Sequence, residues 1–294
     1  MELNHEEVKT PPRPAATVML LRDTGDGPEV FMMRRHGNSD VLGGAYVFPG
    51  GKVDPDDHAD EMLERLDLDL EALHQRMGDP NLEALRAAGY FVAAARETFE
   101  ECGVLLAQGA DATLAQSVTA RAREGYSFVE LLQHFNLRLN LRALTPWARW
   151  VTPRIPSAQS KRFDTRFFVA HAPANQEARH DERETTEGVW VRPRAALERY
   201  WARDIELAPP QIMTLAHFAR MPDVATIMTL AQSQTPPHVE PEPIRLEGGG
   251  RMVAYPGDEL HPVREIAIPG PRRLIWREGR FEPIEGGFEA FFRD

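Results

Sequence analysis

Apolar positions along the first half of this chain keep two rhythms. Residues 17–21 and 30–33 are short, nearly continuous apolar runs, and the turn-rich Asp23-Thr24-Gly25-Asp26-Gly27 lies between them, so together they read as a hairpin of two strands. A third short run, 45–48, leads into Pro49-Gly50-Gly51, where the chain bends. From 57 to 90 the composition shifts to Leu, Glu, Asp and Arg with a break at Gly78-Asp79-Pro80, which predicts one or two short surface helices. Residues 91–106 then take up a strong helical pattern, closed by Gly103.

The second half continues the mixture. Residues 126–135 predict a short helix, 148–152, 162–171 and 188–191 predict strands, a helix opens at Pro193, and two more cover roughly 210–219 and 223–232. Four prolines between 235 and 243 mark a linker, and beyond it 251–255 and 273–276 are strand-like. The expected organisation is a loose tail over 1–14, a main domain over 15–235 with an insertion at 58–95, and an extension over 236–294 packed on that domain. No internal repeat is present.

Composition narrows the function classes. At 294 residues with 42% hydrophobic and 27% charged content, the chain can bury a sizeable core, and no apolar run approaches the roughly 18 residues of a membrane span. A net charge of −11 argues against unspecific nucleic-acid binding, which needs clustered Lys and Arg. An anionic small molecule stays open, provided local cations or metal offset the repulsion. The acidic start, the lack of a terminal sorting tripeptide and a lone cysteine, Cys102, lead us to expect a cytoplasmic protein.

One constellation carries chemistry. Glu97 and Glu101 lie four apart on the predicted helix and Glu97 and Glu100 three apart, so the three carboxylates share a face and repel one another. A solvated acidic stripe would have the same spacing. A hard divalent cation, which takes oxygen ligands, would relieve the repulsion. The upstream Phe48-Pro49-Gly50-Gly51 turn lets backbone approach a phosphate or carboxylate, and Arg96 can orient Glu97 by a charge-assisted hydrogen bond. Together these residues predict a site for metal-assisted phosphoryl chemistry.

At these residues the sequence resembles the Nudix hydrolases. Gly51 and Asp57 stand at the start of the family's box, and Arg96-Glu97-Thr98-Phe99-Glu100-Glu101-Cys102-Gly103-Val104 matches its second half. Asp57 replaces a Glu, Thr98 replaces an apolar residue, and residues 58–95 occupy a gap that in the family is normally seven long. One branch, that of the mammalian peroxisomal acyl-coenzyme A diphosphatase, carries such an interruption. It is also similar at Trp150-Val151-Thr152-Pro153, over 162–168 and at Pro256-Gly257-Asp258-Glu259-Leu260, so the resemblance spans roughly 15–260. A coenzyme A motif of another branch is matched in part by Arg35, Gly44 and the Phe48–Gly51 turn, with Asp40 where a second Arg would stand.

The resemblance implies an α+β fold, a Nudix-type α/β/α sandwich with a mixed sheet, a helical insertion inside the box and additional C-terminal elements. It implies Glu97, Glu100 and Glu101 as ligands of Mg²⁺ or Mn²⁺, one of them doubling as general base, with Gly51 offering its carbonyl, Arg96 holding Glu97 and Asp57 a weaker outer contact. Arg35, Arg162 and Asp164 are the candidate substrate-binding residues, although Arg162 and Asp164 equally suit a cross-strand ion pair. Glu184 and Glu187 are further candidates for a catalytic base. The expected reaction is hydrolysis of a diphosphate in coenzyme A or acyl-coenzyme A, giving 3′,5′-ADP and (acyl-)4′-phosphopantetheine. An NADH or ADP-ribose pyrophosphatase and a non-catalytic ligand-binding regulatory module are the alternatives, and a homodimer is left open. The histidines lack zinc-site spacing, Asp54-Pro55-Asp56-Asp57 lacks that of a calcium loop, and Trp147 and Trp150 read as core.

Overall fold

The computed structural model describes residues 7–37, 42–155, 161–181, 185–247 and 250–293. In chain order these form β1 (Arg13–Thr24), β2 (Gly27–Arg35), β3 (Tyr46–Val47), β4 (Gly50–Lys52), α1 (Asp60–Leu63), α2 (Leu70–Met77), α3 (Ala84–Cys102), α4 (Ala112–Ala122) and α5 (Phe128–His134). There follow β5 (Thr145–Val151), β6 (Phe163–His171), β7 (Thr185–Val191), α6 (Pro193–Trp201), α7 (Pro209–Phe218), α8 (Val224–Ser233), β8 (His238–Val239), β9 (Glu242–Arg245), β10 (Arg251–Ala254), β11 (Arg273–Arg277) and β12 (Arg280–Pro283).

Eight strands make one mixed sheet in the order β3-β2-β1-β6-β5-β8, with β4 added to β1 and β7 to β2. The β1–β6 and β5–β8 pairs are parallel and the other pairs antiparallel. Because successive side chains in a strand point to opposite faces, the continuous apolar run of β1 feeds two cores. Val18 and Leu20 join α3 and the 58–95 region on one face, while Met19 and Leu21 join α6, α7 and α8 on the other. Phe168 and Phe167 of β6 divide the same way. The molecule is therefore the expected α+β arrangement, with helices on both faces of a mixed sheet.

Several parts differ from the sequence expectation. The central helix begins at Ala84 rather than 91, so the last stretch of the insertion is the first part of α3. Small apolar residues from Ala87 to Ala95 let this helix lie almost wholly buried between the sheet and the insertion, and Gly89 allows close approach to Val53 and His58. The insertion's other helices are not purely superficial either, since Met62, Leu73 and Met77 enter the core beside α3. Asp79, just after the Gly78 cap of α2, anchors the insertion to the sheet by accepting from Arg166 at 2.6 Å and Arg149 at 3.3 Å.

The proline-rich stretch is not a linker, since β8 within it pairs with β5 of the main sheet and β9 begins inside it, opening a second, four-stranded antiparallel sheet, β12-β11-β10-β9. Val253, Tyr255, Leu274, Phe281 and Phe291 share the core of α6 and α7. The sequence reading assigned Arg13 and Pro14 to the loose tail, but they open β1, where pairing with Phe163 and Asp164 of β6 supplies partners that composition cannot reveal. No helix among the described residues is long and apolar enough to cross a membrane.

Candidate functional site

The glycine turn and the acidic helix meet across the edge of β1. Gly50 and Gly51 pair with Thr17 and Ala16, which brings β4 beneath the C-terminal half of α3. A Cβ on Gly50 would stand 2.3 Å from the Ala16 carbonyl oxygen, and one on Gly51 would stand 2.3 Å from Glu97 Oε1. Backbone excludes any side chain at Gly50, whereas one at Gly51 fits only if the Glu97 carboxylate shifts. The Gly50 N–H donates to Glu101 Oε2 at 2.7 Å, so turn and helix are tied by a charge-assisted bond. Gly103, at φ +69°, ends the helix and donates its N–H to the Phe99 carbonyl at 2.8 Å.

Arg96 organises the carboxylates. Its Nε and Nη2 grip Asp57 at 2.8 and 2.9 Å, and Nη1 donates to Glu97 at 2.9 Å and Glu100 at 3.0 Å. Nη2 also reaches the Lys52 carbonyl at 2.9 Å, linking the fork to the end of β4. Asp57 is 1% exposed and accepts from the Asp54 N–H at 2.8 Å, so it closes the short turn as well as holding the guanidinium. The shorter Asp is thereby employed. Thr98, where an apolar residue was expected, buries its hydroxyl by donating to the Ala94 carbonyl at 2.7 Å. Cys102 is buried, its thiol pushed up by burial and directed at the Thr98 carbonyl, and is inert.

Burial raises the pKa of Glu97 to about 7 despite Arg96, with Glu100 adding to the shift. Glu100 is raised too, first by burial. The donor set here is all oxygen, and a buried carboxylate whose charge Arg96 only partly compensates suits a hard divalent cation. Glu97, Glu101 and the Gly51 backbone fit such an ion in chemical type. Among the described residues, no group of three or more His, Cys, Asp or Glu side chains is already gathered around one point. Glu100 is engaged by Arg96 and its side chain is 46% exposed.

Glu97 and Glu101 open into a cavity of about 420 Å³. Gly50, Gly51, Lys52, Asp54 and Arg35 line it together with them, and Trp150 to Pro153, Phe163, Thr165, Phe167, the start of α7, Pro241 and Val253 add a largely apolar wall. Arg35 thus reaches the cavity. Arg162 and Asp164 are not among its lining residues. Arg162 donates to the Thr152 carbonyl at 2.8 Å and to Glu240 at 3.1 Å, and Asp164 takes a two-point grip from Arg149 at 2.9 and 2.7 Å. The pleat explains the division, because Phe163, Thr165 and Phe167 share one face of β6 while Asp164 and Arg166 occupy the other.

A model of the NUDT19 Nudix domain matches residues 11–218. The chain belongs to the NUDT19 Nudix family. Acyl-coenzyme A diphosphatase NUDT19 of Xenopus laevis is 27% identical over 277 residues, covering 80% of this chain and 71% of that protein. The human protein of that name is also 27% identical, over 276 residues, covering 80% of this chain and 73% of its own length. The crystal structure of a NUDIX hydrolase from Alicyclobacillus acidocaldarius superposes with a TM-score of 0.62 at 29% identity, covering 78% of this chain and 98% of that one.

Within this NUDT19-type chain, the Trp150 to Pro153 segment noticed in the sequence forms cavity wall, while Asp258 of the Pro256 to Leu260 segment pairs with Arg273 at 2.5 Å to hold the second sheet. Glu187 lies on strand β7 and accepts from the Tyr46 hydroxyl, outside the cavity lining. Glu184 and Asp40 fall outside the described residues. Lys52, Asp54, Thr17 and Gln211 line the cavity without having been singled out in the sequence. Of these, Lys52 and Asp54 border the glycine turn, a signal that proximity to the box offered.

The Gly51 contact gives a direct prediction. Gly51→Ala is expected to lower turnover by about 100-fold by displacing the Glu97 carboxylate, since misplacement by about 1 Å has that effect in a pre-organised site. Thermal unfolding should change little, because the flexible end of a side chain yields. Unaltered steady-state turnover in the purified variant would show that Glu97 need not lie against this backbone.

Proposed function

We propose that this chain hydrolyses the diphosphate of coenzyme A or an acyl-coenzyme A, giving 3′,5′-ADP and 4′-phosphopantetheine or its acyl form. The carrying observation is one cavity in which the Glu97 and Glu101 carboxylates, with Arg35 and Lys52, adjoin an apolar wall including Trp150, Phe163 and Val253. A diphosphate joined to a long, mostly uncharged arm has that polarity. The names of the Xenopus and human relatives support the same substrate class.

In this reading water adds to one phosphorus, the bond from that phosphorus to the bridging oxygen breaks, and the bridging oxygen leaves on the other phosphate. Glu97 and Glu101, with the Gly51 carbonyl, would hold Mg²⁺ or Mn²⁺, and Glu100 would join them through the oxygen that Arg96 does not hold; the ion supplies charge neutralisation when bound. Arg96 keeps Glu97 and Glu100 aimed, and Asp57 and the Lys52 carbonyl keep Arg96 aimed. Arg35 and Lys52 offset phosphate charge on the cavity wall, and a carboxylate of the cluster accepts the proton of the attacking water.

The test is mass-spectrometric product analysis with Mg²⁺ or Mn²⁺ and a panel of coenzyme A, acyl-coenzyme A, NADH and ADP-ribose, beside Glu101→Gln. Release of 3′,5′-ADP from a coenzyme A species, lost in the variant, is expected. Cleavage confined to NADH or ADP-ribose would keep the chemistry and replace the substrate; no turnover with either metal would support a binding module.

A further inference from the structure

Resting on that reading, we propose that Gln211 is the specificity residue that recognises an amide group in the pantetheine arm. Gln211 sits in the first turn of α7 and lines the same cavity as Glu97 and Glu101. It is only 7% exposed, its Oε1 is buried with no hydrogen-bond partner, and its neighbours on the wall include Trp150, Phe167, Pro209, Pro210 and Val253. A buried amide oxygen without a partner keeps its desolvation cost uncompensated, so a fold with no use for it would favour an apolar side chain here.

The local fold explains why the protein does not satisfy this group itself. Ala208 caps α7 without a side-chain bond, and Pro209 and Pro210 occupy its first positions without any N–H to offer. The first turn therefore offers this carboxamide no N–H from Pro209 or Pro210, and its Oε1 is left unpaired. A carboxamide is both donor and acceptor, and the broad terminal torsion of Gln lets either atom turn toward a ligand.

The complementary group must donate to this oxygen while lying on an otherwise apolar arm. A secondary amide does this, and pantetheine carries such amides between its diphosphate and its thiol. NADH and ADP-ribose carry a ribose next to the diphosphate, and the carboxamide of NADH lies beyond that ribose, so an apolar wall would leave their sugar hydroxyls unpaired. Gln211 thus selects by pairing with the arm rather than by acting on the diphosphate.

The experiment is Gln211→Met, close in length and without the amide, assayed on coenzyme A and on an n-decyl ester of ADP that keeps the diphosphate but lacks amides. The expected result is a KM for coenzyme A raised about tenfold with kcat within twofold, and a KM for the decyl ester changed less than twofold. The melting temperature of the free protein should hold or rise, because the variant removes an unsatisfied group; a merely structural Gln would lower it. An unchanged KM for coenzyme A, equal losses on both substrates, or a fall in melting temperature of several degrees would overturn the inference while leaving the diphosphatase reading intact. Wild-type protein that leaves coenzyme A untouched would overturn both.

Discussion

Replacing Glu97 with Gln is expected to reduce diphosphate hydrolysis by about 10²–10³-fold, the scale of losing one charge-stabilising group, while making the metal-free protein more heat-stable at pH 8. The two effects have one cause. Burial raises Glu97 to about 7 in the folded chain against 4.5 for an ordinary Glu, because its surroundings disfavour the charge more than Arg96 favours it. A carboxyl raised on folding contributes stability that is fully present below the unfolded value near 4.5 and is lost as pH rises through about 7. Above that, forcing the charge costs about 3 kcal/mol at 1.36 kcal/mol per pH unit.

Glutamine carries no charge to force. Metal-free Glu97→Gln should therefore melt about 5 °C above the parent at pH 8 and close to it at pH 5, allowing roughly 2–4 °C per kcal/mol for a chain of this size and some loss of the bond to Arg96. Adding Mg²⁺ or Mn²⁺ at pH 8 should raise the parent's melting temperature more than the variant's, since a bound ion stabilises the charged carboxylate. Scanning fluorimetry at the two pH values separates the outcomes. A variant less stable than the parent at pH 8 would mean that Arg96 compensates Glu97 fully and that the buried charge is not held for a cation.

Much of this arrangement was legible because its signals are local. The hairpin of β1 and β2 announces itself by a turn between two apolar runs, and the glutamates of α3 by spacing that any helix places on one face. What escaped depends on partners distant in sequence. The start of α3 was misplaced since residues 84–90 are amphipathic only with respect to an insertion and a sheet that the chain has yet to bring together. α4 was missed because its pattern is weak: only Ala115 and Val118 are buried in it, and its clearest mark is the Asp111 cap. Arg162, just before β6, and Asp164 on it suggest ligands by their charge, whereas the cavity takes Phe163, Thr165 and Phe167. Gln211 lies in no motif. Only its burial without a partner marks it, and burial is a property of the assembled core.

Arg96→Leu should be more damaging to the fold than any glutamate variant. The guanidinium binds a carboxylate that is 1% exposed at two points, and its Nη1 bridges Glu97 and Glu100 while doing so. Removing one partner of a buried pair leaves the other charge uncompensated and costs about 3–5 kcal/mol, or a fall of about 10 °C in melting temperature. Turnover should drop at least 100-fold, since Glu97 and Glu100 lose the group that aims them. Arg96→Lys restores the charge but not the fork, because an ammonium cannot span both oxygens of Asp57 and still reach Glu97, so stability should recover further than activity. Combining Arg96→Leu with Asp57→Leu removes the stranded charge and should regain part of the lost melting temperature with no gain in turnover. That separation assigns Asp57 to holding the arginine and the arginine to holding the carboxylates, whereas parallel recovery of both properties would show that Arg96 matters here only as structural support.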